Sequence, residues 1–264
     1  MTSATKHSIA VDGVTVQFGG VTALSDVSIA FGAGRGIDAL IGPNGAGKTT
    51  LFNVFTGVVQ PTRGRIFAHG EDVSGMRQDQ IFRRGVSRTF QGVRLFGHLT
   101  ARQNVTLAAR SATGSEDRAA GRYSAPWWES AASRDRARAA MDRVGLASAV
   151  QDRLPSQLSL WDSRMVEIAR AISSQPGVLM LDEPAAGLNT VEKTRLRDLL
   201  LKLSSALDCH IVVVEHDMEL VMSVAEHVWV LNFGKLLAHG TPAQVQADPL
   251  VLEAYLGSPE EEAA

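Results

Sequence analysis

Residues 42–49 read Gly42-Pro43-Asn44-Gly45-Ala46-Gly47-Lys48-Thr49, three glycines leading to a lysine and a hydroxyl, and this stretch restricts the fold more tightly than any other. Before it, Ile37-Asp38-Ala39-Leu40-Ile41 is a short, mostly apolar run of strand type; after it, Thr49 to Thr56 is a helical stretch stopped at Gly57. Glycine lets the chain curl so that successive backbone N–H groups point inward, and the start of a helix adds its positive end. The pattern G-x-x-x-x-G-K-[ST] between a strand and a helix is a cradle for phosphates. Lys48 offers a mobile cation to the outer phosphates, and the Thr49 hydroxyl can ligate Mg²⁺. Asn44, Gly45, Gly47, Lys48, Thr49 and Thr50 are the expected nucleotide-binding residues.

Such a cradle needs an acidic residue at the end of a buried strand, to hold the metal and to polarise a nucleophile. Val178-Leu179-Met180-Leu181-Asp182-Glu183-Pro184 supplies it. Consecutive carboxylates at a strand end point in different directions, so Asp182 is expected to serve the metal and Glu183 to act as general base toward water.

The remaining sequence fits one α/β cassette. Val14, Val16 and Phe18 alternate with polar residues, as do Val27, Ile29 and Phe31, and Gly19-Gly20 separates the two runs as in an antiparallel pair. Gly64 to Ala68 followed by His69-Gly70 suggests a further hairpin. Arg102 to Leu154 is rich in Ala, Arg and Ser and poor in β-branched residues, which predicts an inserted helical region containing one solvated linker at Ser111 to Gly121. Leu196, Leu199, Leu200, Leu203 and Leu207 carry helical spacing. Ile211 to Val214 is a continuous apolar strand, and His227 to Ala238 a hairpin turning at Asn232-Phe233-Gly234. The expected domain is a single unit over 1–257 with a helical insert at about 92–176, followed by an acidic, disordered tail at 258–264.

Composition narrows the function. The chain has 264 residues, 45% hydrophobic and enough for a sizeable core. With 26 Lys+Arg against 28 Asp+Glu it has no bulk charge with which to coat nucleic acid or an anionic bilayer. A single cysteine, Cys209, excludes an internal disulfide framework. The N-terminal residues lack the pattern of a signal peptide, and no apolar run approaches the roughly 18 residues that a membrane span needs.

Taken together, the motifs resemble the ATP-binding subunits of ABC transporters over nearly the whole length. The resemblance implies an α/β P-loop nucleotide-binding domain with an antiparallel β subdomain and an inserted helical subdomain. It also implies ATP and Mg²⁺ as ligands and ATP hydrolysis at a dimer interface. Phe18 stands where the family has an aromatic that stacks on adenine; a core-packed strand aromatic is the competing reading. Arg88-Thr89-Phe90-Gln91 resembles the segment whose glutamine, here Gln91, joins the metal site to the helical subdomain. Val213-Val214-Glu215-His216-Asp217 resembles the switch histidine, with His216 orienting Glu183 and water.

Narrower similarity comes from Arg88 to Phe96, the loop Ala185 to Asn189, Glu215 to Met218 and the ending Glu253 to Gly257. These look like the importer ATPases for branched-chain and other hydrophobic amino acids. This implies membrane subunits, meeting the chain at Gly92 to Arg102, a second ATP-binding subunit, an upstream solute-binding protein, a peripheral position on the cytoplasmic face of the membrane, and no nucleic acid. A urea-importer branch, an exporter of lipid or lipopolysaccharide type and a nucleotide-responsive regulator with weak turnover remain alternatives. Soluble ABC ATPases of DNA repair or translation share only the nucleotide motifs.

One segment departs from the family. The signature Leu-Ser-Gly-Gly-Gln, which closes on the γ-phosphate held by the other subunit, is replaced by Leu158-Ser159-Leu160-Trp161-Asp162. Leu160 and the indole of Trp161 are expected to fill space that glycines leave open, and Asp162 adds negative charge beside an anion. Losing one preorganised donor to transition-state charge costs roughly 10² to 10³ in rate, so the expected assembly is a heterodimer rather than a homodimer. Asn189 also replaces the family's usual aspartate.

Overall fold

Strands that are buried along their whole length need cover on both faces, and three strands here are buried at every residue: β3 (Gly36–Ile41), β7 (Val178–Asp182) and β8 (His210–Val214). The computed structural model of the chain describes residues 8–32, 35–109 and 131–256. In it these strands form the centre of a six-stranded sheet ordered β10-β9-β3-β8-β7-β6, completed by β6 (Val86–Arg88), β9 (His227–Asn232) and β10 (Lys235–Gly240). All neighbours run parallel except β10 against β9. A second, antiparallel sheet has the order β2-β1-β4-β5, from β1 (Ile9–Phe18), β2 (Val21–Phe31), β4 (Arg63–Ala68) and β5 (Glu71–Asp72).

Alternation along the central strands divides the core in two. Leu179, Leu181, Ile211 and Val213 face a helical layer, whereas Val178, Met180, Val212 and Val214 face the antiparallel sheet and α1 (Lys48–Phe55). Phe52 and Phe55 of α1 are fully buried on that second side, and each such side chain contributes on the order of 2 kcal/mol by leaving water. Burial of this kind fixes the phosphate loop, because α1 begins where the loop ends.

The helical layer contains α3 (residues 101–109), α4 (Ala131–Arg143), the short α5 (Ser148–Gln151), α6 (Leu160–Ser173) and α7 (Thr190–Ala206). Among the described residues the insert shares its core with the sheet: Val105, Met141, Val166 and Ile168 belong to one cluster with Leu179 and Ile211. Further helices are α2 (Gln78–Arg83), α8 (Met218–Val224), α9 (Pro242–Gln246) and α10 (Pro249–Leu256). Among the described residues no helix is long and apolar enough to cross a membrane.

Two elements are invisible in the sequence pattern. Strand β6 is three residues long and includes Ser87 and Arg88, too short and polar for periodicity; its pairing with β7 makes it a strand. Helix α2 is only six residues long. The helix predicted to reach Leu207 ends at Ala206, and Leu207 still packs partly buried against the core. The expected linker Ser111 to Gly121, the pair Trp127-Trp128 and the tail 258–264 lie outside the described residues.

Candidate functional site

The carboxyl ends of β3, β7 and β8 lie side by side, bringing the phosphate loop, Asp182-Glu183 and Glu215-His216 to one edge of the sheet. The loop conformation requires glycine at specific points. Gly42 has a φ of +151° and a side chain there would collide with the carbonyl of Leu231; Gly47 has a φ of +100° and a Cβ would lie 2.8 Å from the carbonyl oxygen of Ala23. Gly47 is also the N-cap of α1, so no side-chain acceptor is present for the first amides of that helix, those of Lys48, Thr49 and Thr50. Lys48 is buried, and its ammonium donates to the carbonyls of Gly42 at 2.7 Å and Pro43 at 2.9 Å. Burial lowers its pKa, opposed by Glu183 and Asp182. A cation folded onto loop carbonyls beside free helix amides suits an anionic ligand. Asn44, Gly45 and Thr49 are exposed at the mouth of this loop, and Thr50 is partly so.

Asp182 is 2% exposed, and burial pushes its carboxyl up to about 6, with Arg88 opposing. Its carboxylate oxygens, like the Thr49 hydroxyl at the start of α1, are hard oxygen donors of the kind that Mg²⁺ takes. Glu183 has a φ of +45°, rare for a residue with a Cβ, and its N–H donates to Val214 at 2.8 Å. This left-handed step ends the extended strand at Glu183. His216 lies with Nδ1 3.9 Å from Oε2 of Glu183 and 3.7 Å from Oε2 of Glu215, and is 61% exposed, open to a ligand. Gln91 is exposed in the loop after β6.

Several site residues escape sequence reasoning. Glu215 is fully buried and accepts from the N–H groups of Ala185 (2.7 Å), His216 (3.1 Å) and Asp217 (3.4 Å), so one carboxylate ties the loop after Glu183 to the histidine. A carboxylate closing an apolar strand was the available signal. Glu167 of α6 is buried, accepts from Phe90 N–H at 3.3 Å and pairs with Arg164 at 3.0 Å, anchoring the Gln91 loop to the helix that follows the signature. Burial raises the pKa of both glutamates. Burial pushes the phenol of Tyr255 in α10 up to about 12, with the Gly42 backbone opposing.

Phe18 is 51% exposed at the end of β1. Strand alternation with Val14 and Val16 would bury it, but register shifts after those residues turn it outward, which removes the core-packing reading. The signature segment needs a correction too. Trp161 is partly buried and packs against the helical core, so its indole does not fill the ligand side; Leu160, 45% exposed, covers Gly187 in the loop after Glu183. Ser159 caps α6: its hydroxyl accepts from Asp162 N–H at 3.0 Å and donates to the Asp162 carboxylate at 2.8 Å. Asn189 caps α7 and forms a reciprocal pair with Glu192, a task that asparagine and aspartate perform about equally.

Below Gln91 lies an open groove of about 460 Å³ between the sheet and the helical layer, walled by Phe82, Phe90, Leu95 and Phe96 and by the cations Arg94 and Arg170.

Comparison with known proteins matches this geometry. The family described as "ABC transporter" matches residues 24–186, and that described as "Branched-chain amino acid ATP-binding cassette transporter" matches residues 235–261. The high-affinity branched-chain amino acid transport ATP-binding protein LivG of Salmonella typhimurium is 42% identical over 251 residues, covering 94% of this chain and 97% of the relative. BraF of Pseudomonas aeruginosa, described in the same words, is 41% identical over 261 residues, covering 94% and 96%. Among solved structures, MJ1267, an ATP-binding cassette of an ABC transporter in its ADP conformation, aligns with a TM-score of 0.81 at 27% identity over 95% of this chain and 98% of that one. A nucleotide-free ATP-binding cassette from an ABC transporter aligns with a TM-score of 0.78 at 26% identity, over 95% and 99%.

Proposed function

Because the chain belongs to the ABC transporter family as one of its ATP-binding subunits, we propose that it powers the import of branched-chain amino acids from the cytoplasmic face of the membrane. The chain is an ATPase of a transporter. The pair Glu183 and His216, 3.9 Å apart at the strand ends that carry the phosphate loop, supports turnover rather than nucleotide sensing alone.

In this reading the loop amides and Lys48 hold the outer phosphates, and Phe18 stacks on the adenine. Asp182, Thr49 and Gln91 would hold Mg²⁺, which when bound neutralises charge on the phosphate oxygens. Glu183 accepts the proton of the attacking water, and His216 orients that water and the glutamate. Glu215 keeps the histidine and the loop after Glu183 in register.

The groove beside Gly92 to Arg102, apolar with basic flanks, suits an amphipathic cytoplasmic helix of a membrane subunit. With Ser159 engaged by Asp162, a second ATP-binding subunit with an intact signature completes this chain's site, so we favour a heterodimer. A solute-binding protein delivers the substrate.

Reconstitution tests the reading. Co-expressed with its membrane subunits and a second ATP-binding subunit, the complex is expected to hydrolyse ATP faster when a solute-binding protein is loaded with leucine, isoleucine or valine. Stimulation by urea instead replaces the substrate assignment, and failure to assemble with any multi-span subunit overturns the transport reading.

A further inference from the structure

Arg88 has no role in the chemistry above, yet it is the most heavily engaged side chain near the site. It ends β6, beside the strand that carries Asp182, and its side chain is 13% exposed. One terminal nitrogen, Nη1, donates to Asn53 Oδ1 and Thr56 Oγ1, both at 2.9 Å, at the far end of the helix that starts from the phosphate loop. The other, Nη2, reaches Asp182 Oδ2 at 3.5 Å, and Nε donates to the carbonyl of Thr89 at 3.2 Å. The guanidinium lies 4.8 Å from the ring centres of both Phe52 and Phe90. Phe52 is fully buried under the phosphate loop, whereas Phe90 forms a wall of the groove, and Arg88 itself borders that groove.

We propose that Arg88 is a positioning residue: it orients Asp182 for the metal and, through the Phe90 ring, makes that orientation respond to whatever fills the groove. The inference rests on the assignment of Asp182 to Mg²⁺. Arginine meets the geometry, since a planar fork can serve α1 and Asp182 at once while lying 4.8 Å from two aromatic ring centres; a lysine ammonium is a point charge that serves one partner at a time. Asp182 is almost wholly buried, so the direction of its carboxylate depends on this neighbour. The second link is steric. A side chain pressed into the groove against Phe90 shifts the ring, and the ring is one of the two surfaces that hold the guanidinium.

The test uses the full chain and measures binding of a fluorescent ATP analogue at varied Mg²⁺, with Mn²⁺ occupancy read by electron paramagnetic resonance. Arg88→Met keeps an apolar stem near the two rings, and Arg88→Lys keeps the charge; thermal melting verifies that both fold. Removing a partner that orients a metal ligand weakens metal binding by about 10- to 100-fold. The expected result is a rise of about tenfold in half-saturating Mg²⁺ and Mn²⁺ for Arg88→Met, less for Arg88→Lys, with metal-free nucleotide affinity changed by no more than about twofold. Unchanged metal half-saturation in both variants overturns the proposal. So does an equal loss of metal-free nucleotide binding, which marks a purely structural support of α1. Asp182→Asn is the separate control: if it leaves metal binding intact, the metal assignment fails first and the role of Arg88 with it. Assembly with the membrane subunits should shift half-saturating Mg²⁺ in the parent chain and not in Arg88→Met; an equal shift in both removes the groove from the argument.

Discussion

Glu183 stands where strand β7 gives way to a loop and Ser159 where a loop gives way to helix α6, and the two regions use their hydrogen bonds in opposite ways. Around Glu183 the backbone is braced from behind by the buried carboxylate of Glu215, and His216 and the α1 amides are left facing the site. Around Ser159 the polar groups satisfy one another: its hydroxyl both donates to and accepts from Asp162, and that carboxylate sits in the first turn of α6, where it cancels the positive helix end. The first region is built to meet an anion and the second to terminate a helix.

The largest expected effect breaks the stronger side. Glu183→Gln should lower ATP turnover by roughly 10² to 10⁴ with nucleotide affinity nearly unchanged, because a positioned base contributes that much; steady-state kinetics beside nucleotide binding would expose a drop of less than about tenfold and remove Glu183 as the base. The second repairs the weaker side. Leu160→Gly, Trp161→Gly and Asp162→Gln together should raise turnover of the chain alone by about 10² by restoring donors to a partner's γ-phosphate. Because Trp161 packs against the helical core, the triple variant should also melt earlier. No gain in rate in a folded triple variant ends the argument for asymmetric sites.

A smaller effect concerns pH. The folded, metal-free protein binds the Asp182 proton more tightly than the unfolded chain, since burial raises this pKa to about 6. The stability lent by that proton is present below the ordinary carboxylate range and lost as pH rises through about 6, whereas metal binding needs the ionised form. Stabilisation by Mg²⁺ together with ATP should therefore grow between pH 5 and pH 7.5, by about tenfold in apparent metal affinity. A flat profile in melting experiments would show that Asp182 does not contribute. The smallest effect is at the cap of α7: Asn189→Asp should change stability by less than about 0.5 kcal/mol and Asn189→Ala lower it by about 1 kcal/mol. An Asn189→Asp variant with markedly altered turnover would give this position a role beyond capping.

The nucleotide motifs were legible because each is contiguous. A phosphate loop needs only its own glycines and the elements beside it, and Asp182-Glu183 comes with the apolar strand that precedes it, whereas His216 was singled out by its resemblance to the family's switch histidine. The hairpins at 9–31 and 227–240 were legible from period-two patterning and glycine turns for the same reason. Phe18 shows the limit: alternation predicts burial, and bulges in β1 decide exposure. Trp161 is the converse, a residue whose size pointed to the ligand side and whose place on α6 turns it into the core.

By itself the sequence determined the kind of chemistry, because the phosphate-loop pattern depends on neighbours within a few residues. Only the tertiary structure decided how the groups of the site are held. Arg88 reaches an aspartate 94 positions away, Phe90 a glutamate 77 positions away and Ala185 a carboxylate 30 positions away. Such pairings arise from the order of strands in the sheet and the packing of α6 beneath it, which no local pattern encodes. Burial then gives these charged contacts their influence, since a carboxylate removed from water takes its orientation and its proton affinity from the few groups that remain around it.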